Sequence, residues 1–275
     1  MNRVQISQLY NGEQAIDIAI VMPLIVSHIV VFLMSPNFTA EIIYMLGYIS
    51  SLAITSTYRE YRHLLIIPVA GFSIGLASEI AGVNAGIPFG RYEYVSLVTP
   101  RVLGVPLSVP LMWGFYAYLT YLIASSIITR KDTTGNILRI IYASLLMVTL
   151  DLAMDPFMVS NIHAWVWLGG WGPTWFGVPI SNFVGWFIVS FTIFFIHEII
   201  ARNSPTPRAI ILTVPYVCLL MYFASFIGPE LAAPIAALLV TLSTIPVIIK
   251  NLHRHNKTFT KNHTTALKNK RQPRR

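Results

Sequence analysis

Long apolar runs, broken by short polar clusters, set the pattern of this chain. A membrane-spanning helix needs roughly 20 predominantly apolar residues. Eight stretches meet that pattern, at about 15–34, 39–57, 64–85, 103–129, 137–158, 178–200, 208–227 and 231–249. The second is short and rich in Ser and Thr, and only Gly228, Pro229 and Glu230 part the last two. The pattern predicts an all-α polytopic transmembrane helix bundle of about eight spans, or seven if one segment is re-entrant. It gives no sign of an internal repeat or a second domain. Residues 1–249 read as one transmembrane helical domain and 250–275 as a basic, disordered tail.

Composition supports a lipid solvent. Hydrophobic residues make up 55% of the 275 and charged residues only 11%, against about 25% charged in a typical soluble domain. The mean hydropathy is +0.64, more apolar surface than a soluble chain of this size can hide. Pro and Gly recur inside the apolar runs, which membrane helices tolerate. The first run lacks an A-x-A cleavage site and reads as a retained helix. A lone cysteine, Cys218, excludes an intrachain disulfide.

The net charge of +8 raises nucleic acid as a partner, but its distribution points to lipid. Nine of the 19 Lys and Arg come after Ile249, without the aromatic interleaving a nucleic-acid surface would show. Such a tail suits anionic lipid headgroups, at about 1 kcal/mol per residue near the surface. With the N-terminus inside, 17 of the 19 basic residues fall on inner segments, and only Arg91 and Arg101 on outer loops. The positive-inside rule therefore places both the N-terminus and the tail inside, in a multi-pass protein of the cell membrane.

On that topology three carboxylates converge. Glu79 lies near the outer end of the third span, and Asp151 and Asp155 near the outer end of the fifth. The spacing of the two aspartates, i and i+4, puts them on one helix face. The two longest loops, 84–101 and 158–177, emerge at the same surface. A carboxylate within a membrane is costly and usually faces a bundle interior or a water-filled cavity. A carboxylic acid beside an ionised partner is what acid–base chemistry requires. The plainer alternative is ion pairing with Arg91 or Arg101, or an acid snorkelling to the interface. The loops add Tyr92 and Tyr94, and then Trp165, Trp167, Trp171 and Trp175, four of the six tryptophans. Lipid-interface preference accounts for part of that cluster. Aromatic faces also stabilise cations and line grooves for long apolar ligands. Asn182 and Trp186 sit at the same level.

Other chemistry is poorly supported. No two of the seven histidines share metal-ligand spacing on a helix. His28 reads as packed or hydrogen-bonded, and His197 and Glu198 as interface residues. Nucleotide-binding, zinc-protease and serine-hydrolase motifs are missing.

Four stretches in order, Gly86-Ile-Pro-Phe-Gly-Arg-Tyr-Glu-Tyr94, Gly104-Val-Pro-Leu-Ser-Val-Pro-Leu-Met-Trp113, Asp151-Leu-Ala-Met-Asp-Pro-Phe-Met158 and Trp175-Phe-Gly-Val-Pro-Ile-Ser-Asn-Phe-Val-Gly-Trp186, resemble the carotenoid 1,2-hydratase family. The resemblance runs from about Glu79 to Trp186. It implies a carotenoid-biosynthesis hydro-lyase that adds water across a terminal C=C of an acyclic carotenoid, such as bisanhydrobacterioruberin, lycopene or γ-carotene, giving a tertiary alcohol. It implies a long-chain carotenoid as ligand and other enzymes of that pathway as possible partners. The chemistry needs a proton donor, a stabilised tertiary cation, a water and a base, and no metal or redox cofactor. Asp151, Asp155 and Glu79 are the expected catalytic groups. Arg91, Tyr92, Tyr94, Trp113, Trp165, Trp167, Trp175, Asn182 and Trp186 are the expected substrate-binding groups.

Three rivals stand beside this reading. Asp151-x-x-x-Asp155 also resembles one acidic motif of the Mg-dependent intramembrane prenyltransferases, which carry two. A proton-coupled transporter would use embedded acids, with repeat symmetry and acids nearer mid-membrane. A scaffold would leave the convergence of acids and aromatics without a purpose.

Overall fold

The computed structural model describes residues 3–34, 38–97, 99–201, 204–239 and 241–242. Seven helices run α1 (Arg3–Phe32), α2 (Phe38–Thr57), α3 (Ile66–Ala85), α4 (Ser108–Ile127), α5 (Thr133–Phe157), α6 (Ile180–Ile200) and α7 (Thr213–Ile227). An eighth, α8, covers Pro229–Leu239. Two compact units divide after Ile235, and the first holds all of α1 to α7. Residues 240 and 243–249 of the expected eighth span, and the whole basic tail, lie outside the described residues.

Among the described residues, five helical segments are long and apolar enough to cross a membrane: Gln14–Phe32, Arg59–Ala85, Thr133–Ile162, Ile180–Ile200 and Ile210–Ile227. The protein is an all-α membrane bundle. Helix α4 is not among the five, and its burial explains why. Fourteen of its twenty residues are buried, including Tyr116, Tyr118, Thr120, Tyr121 and Ser125. A helix enclosed by other helices does not need a lipid-soluble surface, so it can carry hydroxyls that find partners inside the protein. The peripheral helices do the reverse. Ile18, Met22, Val26 and Ile29 on α1, and Ile42, Leu46 and Ile49 on α2, are exposed at helical spacing, an apolar stripe suited to lipid.

Helices α3 to α6 form the core. Helix α3 packs on α4, α5 on α6, α4 on α5 and α3 on α6, while α1 packs on α2 and α7, and α7 on α5. Gly71 sits against Gly114, and Gly75 against the Trp113 side chain. These small residues let α3 and α4 approach closely, as in small-xxx-small membrane interfaces. By contrast α2 meets α4 through rings, with Tyr48 stacked on Phe115 at 4.7 Å.

The fourth span is expected from 103, but the helix starts at Ser108. Residues 101–106 form a hairpin of β2 (Arg101–Val102) and β3 (Val105–Pro106) instead. Leu103 and Gly104 both have positive φ, 49° and 91°, the requirement of a tight two-residue hairpin turn. Strand β1 (Arg91–Tyr94) precedes it. Strand β4 (Trp165–Gly169) and a second hairpin, β5 (Thr174–Trp175) with β6 (Val178–Pro179), lie between α5 and α6.

This second hairpin corrects the expectation of no repeat. Pro100, Gly104, Val105, Pro106, Ser108 and Trp113 recur as Pro173, Gly177, Val178, Pro179, Ser181 and Trp186, each 73 positions later. Phe176 and Gly177 repeat the turn geometry, with φ of 49° and 85°. The unit α3–β1–hairpin–α4 is thus repeated as α5–β4–hairpin–α6. Strands β1 and β4 join the copies antiparallel, Tyr92 opposite Trp167 and Tyr94 opposite Trp165. That exchange of equivalent positions is what a two-fold axis imposes. The equivalent tryptophans Trp113 and Trp186 stack on each other at 4.0 Å.

The other end of the bundle holds a buried polar network. Arg139 of α5 donates to Glu198 of α6 at 2.6 Å, to Asn136 Oδ1 at 2.7 Å and to the Ile128 carbonyl at 2.8 Å. Tyr121 donates to the same Glu198 oxygen at 2.8 Å. His63 lies 3.1 Å from His197 and 2.8 Å from the Pro205 carbonyl. His197 and Glu198 are therefore buried tie points and not interface residues. Removing one partner of a buried ion pair strands the other charge, at a cost of about 3–5 kcal/mol. Arg139→Met is expected to lower the thermal unfolding midpoint of the purified protein sharply, and Arg139→Met with Glu198→Gln to recover part of the loss. Beside this network Asp132 caps α5 by accepting from the Gly135 N–H at 2.8 Å. Arg130 and that N–H hold its carboxyl down at about 2.

Candidate functional site

Strand alternation places the first acid's partners. Tyr92 and Tyr94 of β1 are buried, while Arg91 and Glu93 point outward. Glu79, two turns before the end of α3, receives both tyrosines. Tyr92 and Tyr94 donate to Oε2, the latter at 2.6 Å, and the Trp113 indole N–H donates to Oε1 at 2.8 Å. Three donors converge on this one carboxyl group, so that both of its oxygens accept hydrogen bonds.

The aspartates are held differently. The two hydrogens of the Asn182 amide bridge them, one to Asp151 Oδ2 at 2.6 Å and one to Asp155 Oδ2 at 2.7 Å. The Trp165 indole N–H donates to Asp155 Oδ1 at 2.6 Å, so both oxygens of Asp155 have donors. Asp151 Oδ1 is buried and has no partner. The Trp167 indole nitrogen nearby is also buried and unpaired. Among the described residues no ion pair joins these acids to Arg91 or Arg101, and Arg101 donates to the carbonyls of Tyr94 and Leu97. The plainer pairing alternative is thereby set aside.

All three acids line one cavity of about 500 Å³. Tyr92, Tyr94, Trp113, Trp165, Trp167, Asn182 and Trp186 line it too. Two expected residues do not. Arg91 is exposed, and Trp175 is turned away, its N–H donating to the Leu152 carbonyl at 3.0 Å. Among the described residues no group of three His, Cys, Asp or Glu is placed to hold a metal ion. The three acids converge on a space without forming a chelate.

A family model described as carotenoid biosynthesis protein matches residues 39–249. The chain belongs to the carotenoid biosynthesis protein family. The match contains every residue of the cavity's acid wall. A bisanhydrobacterioruberin hydratase of Haloarcula japonica is 26% identical over 126 residues, covering 46% of this chain and 41% of that protein. The chain thus matches about two fifths of that relative's length. No solved structure matches.

In this family member the cavity has a second wall that the sequence pattern does not reveal. Val31 of α1, Tyr44 and Met45 of α2, and Leu219, Tyr222 and Phe223 of α7 line the same space as the acids. Each is an ordinary apolar or aromatic residue in an apolar helix, and no local pattern distinguishes it. His28 is hydrogen-bonded, as expected. Its Nδ1 lies 2.6 Å from the Leu24 carbonyl, and Tyr48 bridges it loosely to Tyr44 on that wall.

Proposed function

We propose that this protein hydrates a terminal C=C of an acyclic carotenoid end group. The observation that carries the proposal is the unequal treatment of three carboxyl groups around one mostly apolar cavity. Glu79 and Asp155 have donors on both oxygens, and Asp151 Oδ1 has none. A proton on Asp151 Oδ1 displaces no hydrogen bond and meets no opposing donor. Asp151 is therefore the acid in this reading.

Its proton adds to the CH carbon of the terminal alkene, and the π electrons leave a tertiary cation on the dimethyl carbon. Ionised Glu79 and the stacked Trp113 and Trp186 give that cation a negative and π-rich surrounding. A water oxygen bonds to the cation, and Asp155 takes the released proton. Exchange of that proton to Asp151 restores the starting state, so the net change is one water added. Asn182 fixes both aspartates and acts by position. The name of the Haloarcula relative supports the same reaction class. In the membrane, eight crossings with the N-terminus and tail inside would set the site near the outer face of the cell membrane.

Expression in a host accumulating lycopene or bisanhydrobacterioruberin, with mass spectrometry of the extracted pigments, tests this. Products heavier by one or two waters, formed in EDTA as well as in Mg²⁺, are the expected result. Unchanged pigment with well-inserted protein would sink the proposal. Strict Mg²⁺ dependence with a prenyl diphosphate as substrate would replace it with prenyl transfer.

A further inference from the structure

The cavity has two unlike walls. On the acid side the lining residues Glu79, Trp113, Asp151, Asp155, Asn182 and Trp186 are all buried. On α1, α2 and α7, Val31, Met45, Tyr222 and Phe223 line the same space yet stay half-exposed, while Tyr44 and Leu219 of the same helices are buried. Their helix neighbours Phe32, Leu46 and Phe226 are exposed apolar residues on the outer surface. The cavity lining is thus buried around the acids and half-exposed where α1, α2 and α7 meet lipid, as it is again at Leu97, Val109, Met112 and Met158. The wall of α1, α2 and α7 holds no carboxylate, and its hydroxyls are occupied. Tyr222 donates to the Met34 carbonyl at 3.1 Å and Tyr44 shares a hydrogen bond with Tyr48 at 3.2 Å.

A cavity of about 500 Å³ is the size of a drug-sized ligand site, too small to enclose a whole long-chain carotenoid. One end of such a ligand can sit at the acids, and the remainder must leave through a surface that does not punish apolar contact. We propose that the polyene tail leaves the site across Val31, Met45, Tyr222 and Phe223 into the bilayer, so that these residues discriminate long substrates from short ones. The inference rests on the hydration reading for the location of the reacting end. It adds the direction of the tail and the residues that sense its length.

Met45 gives the sharpest test, because Leu46 beside it faces lipid and serves as its control. Met45→Trp fills the exit, and Leu46→Trp adds the same bulk outside. Two substrates with the same terminal alkene are compared, lycopene and a short acyclic isoprenoid hydrocarbon, along with the amount of lycopene that co-purifies with each variant in detergent. Met45→Trp is expected to lower the long-to-short rate ratio and the co-purified lycopene roughly tenfold, the scale of overpacking a filled space. Leu46→Trp should leave both near wild type. Equal loss on both substrates, or no loss of lycopene binding, overturns the tail assignment. Wild-type protein that hydrates neither substrate but binds lycopene through Met45 refutes the hydration reading and leaves the tail path standing.

Discussion

Asp151→Asn is expected to abolish hydration while leaving the protein folded, inserted and able to bind its polyene. The substitution keeps the size of the side chain, and its hydrogen bond to Asn182 can be re-formed through the amide oxygen. It removes only the ability to release a proton at Oδ1, the buried atom without a partner. Loss of a positioned general acid typically costs about 10²–10⁴ in rate, and an unactivated alkene offers no easier route. The measurement is hydrated pigment per unit of membrane-inserted protein, with co-purified polyene as a check on the site. Asp155→Asn should also fall steeply, because its amide would face the Trp165 and Asn182 donors with one hydrogen-bearing end. Asp151→Asn retaining activity within a few-fold of wild type would move the proton donor elsewhere.

Gly71→Val should have the largest effect on stability. A Cβ at Gly71 would lie 2.6 Å from the Gly114 Cα and 3.1 Å from the Trp113 carbonyl. These are backbone atoms, so no rotamer change relieves the clash and the two helices must separate. Overpacking costs about 1–3 kcal/mol when side chains can shift, and here the cost should reach or exceed the top of that range. Separation also draws Trp113 off Glu79, so whatever protein remains folded should be poorly active. Yield of monodisperse protein in detergent and its thermal midpoint report the first effect. Val69→Leu, at a position 66% exposed two residues away, should change neither. Normal stability of Gly71→Val would mean that α3 and α4 do not pack through this contact.

The legibility of the fold tracks the kind of signal each part carries. Helix positions follow from apolar length, because lipid admits little else. The start of α4 is hard to place because Val102, Leu103, Val105 and Leu107 are apolar in a hairpin as in a helix, and only Gly104 and Pro106 mark the turn. The three acids can be grouped because each lies near the end of a span on the same side. Their unequal partners cannot, since Asn182 reaches back 31 residues to Asp151 and Trp113 reaches 34 to Glu79. Arg91 enters the expected site through its neighbours, although period-two alternation turns it outward from Tyr92. The ion pair of Arg139 and Glu198 links positions 59 apart, and nothing local in either helix announces it. The repeat is visible as two Gly-Val-Pro turns but is diluted, because Tyr92 and Tyr94 in one copy stand where Trp165 and Trp167 stand in the other.

That dilution bears on what the site can do. Two identical chains meeting on an axis must present the same group from both sides, so a lone substrate between them would face equal carboxyls in equal surroundings. Here the two halves belong to one chain and have diverged. One half surrounds Glu79 with two phenols and an indole, and the other sets a pair of aspartates around an amide. Broken symmetry would let one side of the cavity stay charged while the other gives and takes a proton, which is what the proposed hydration requires.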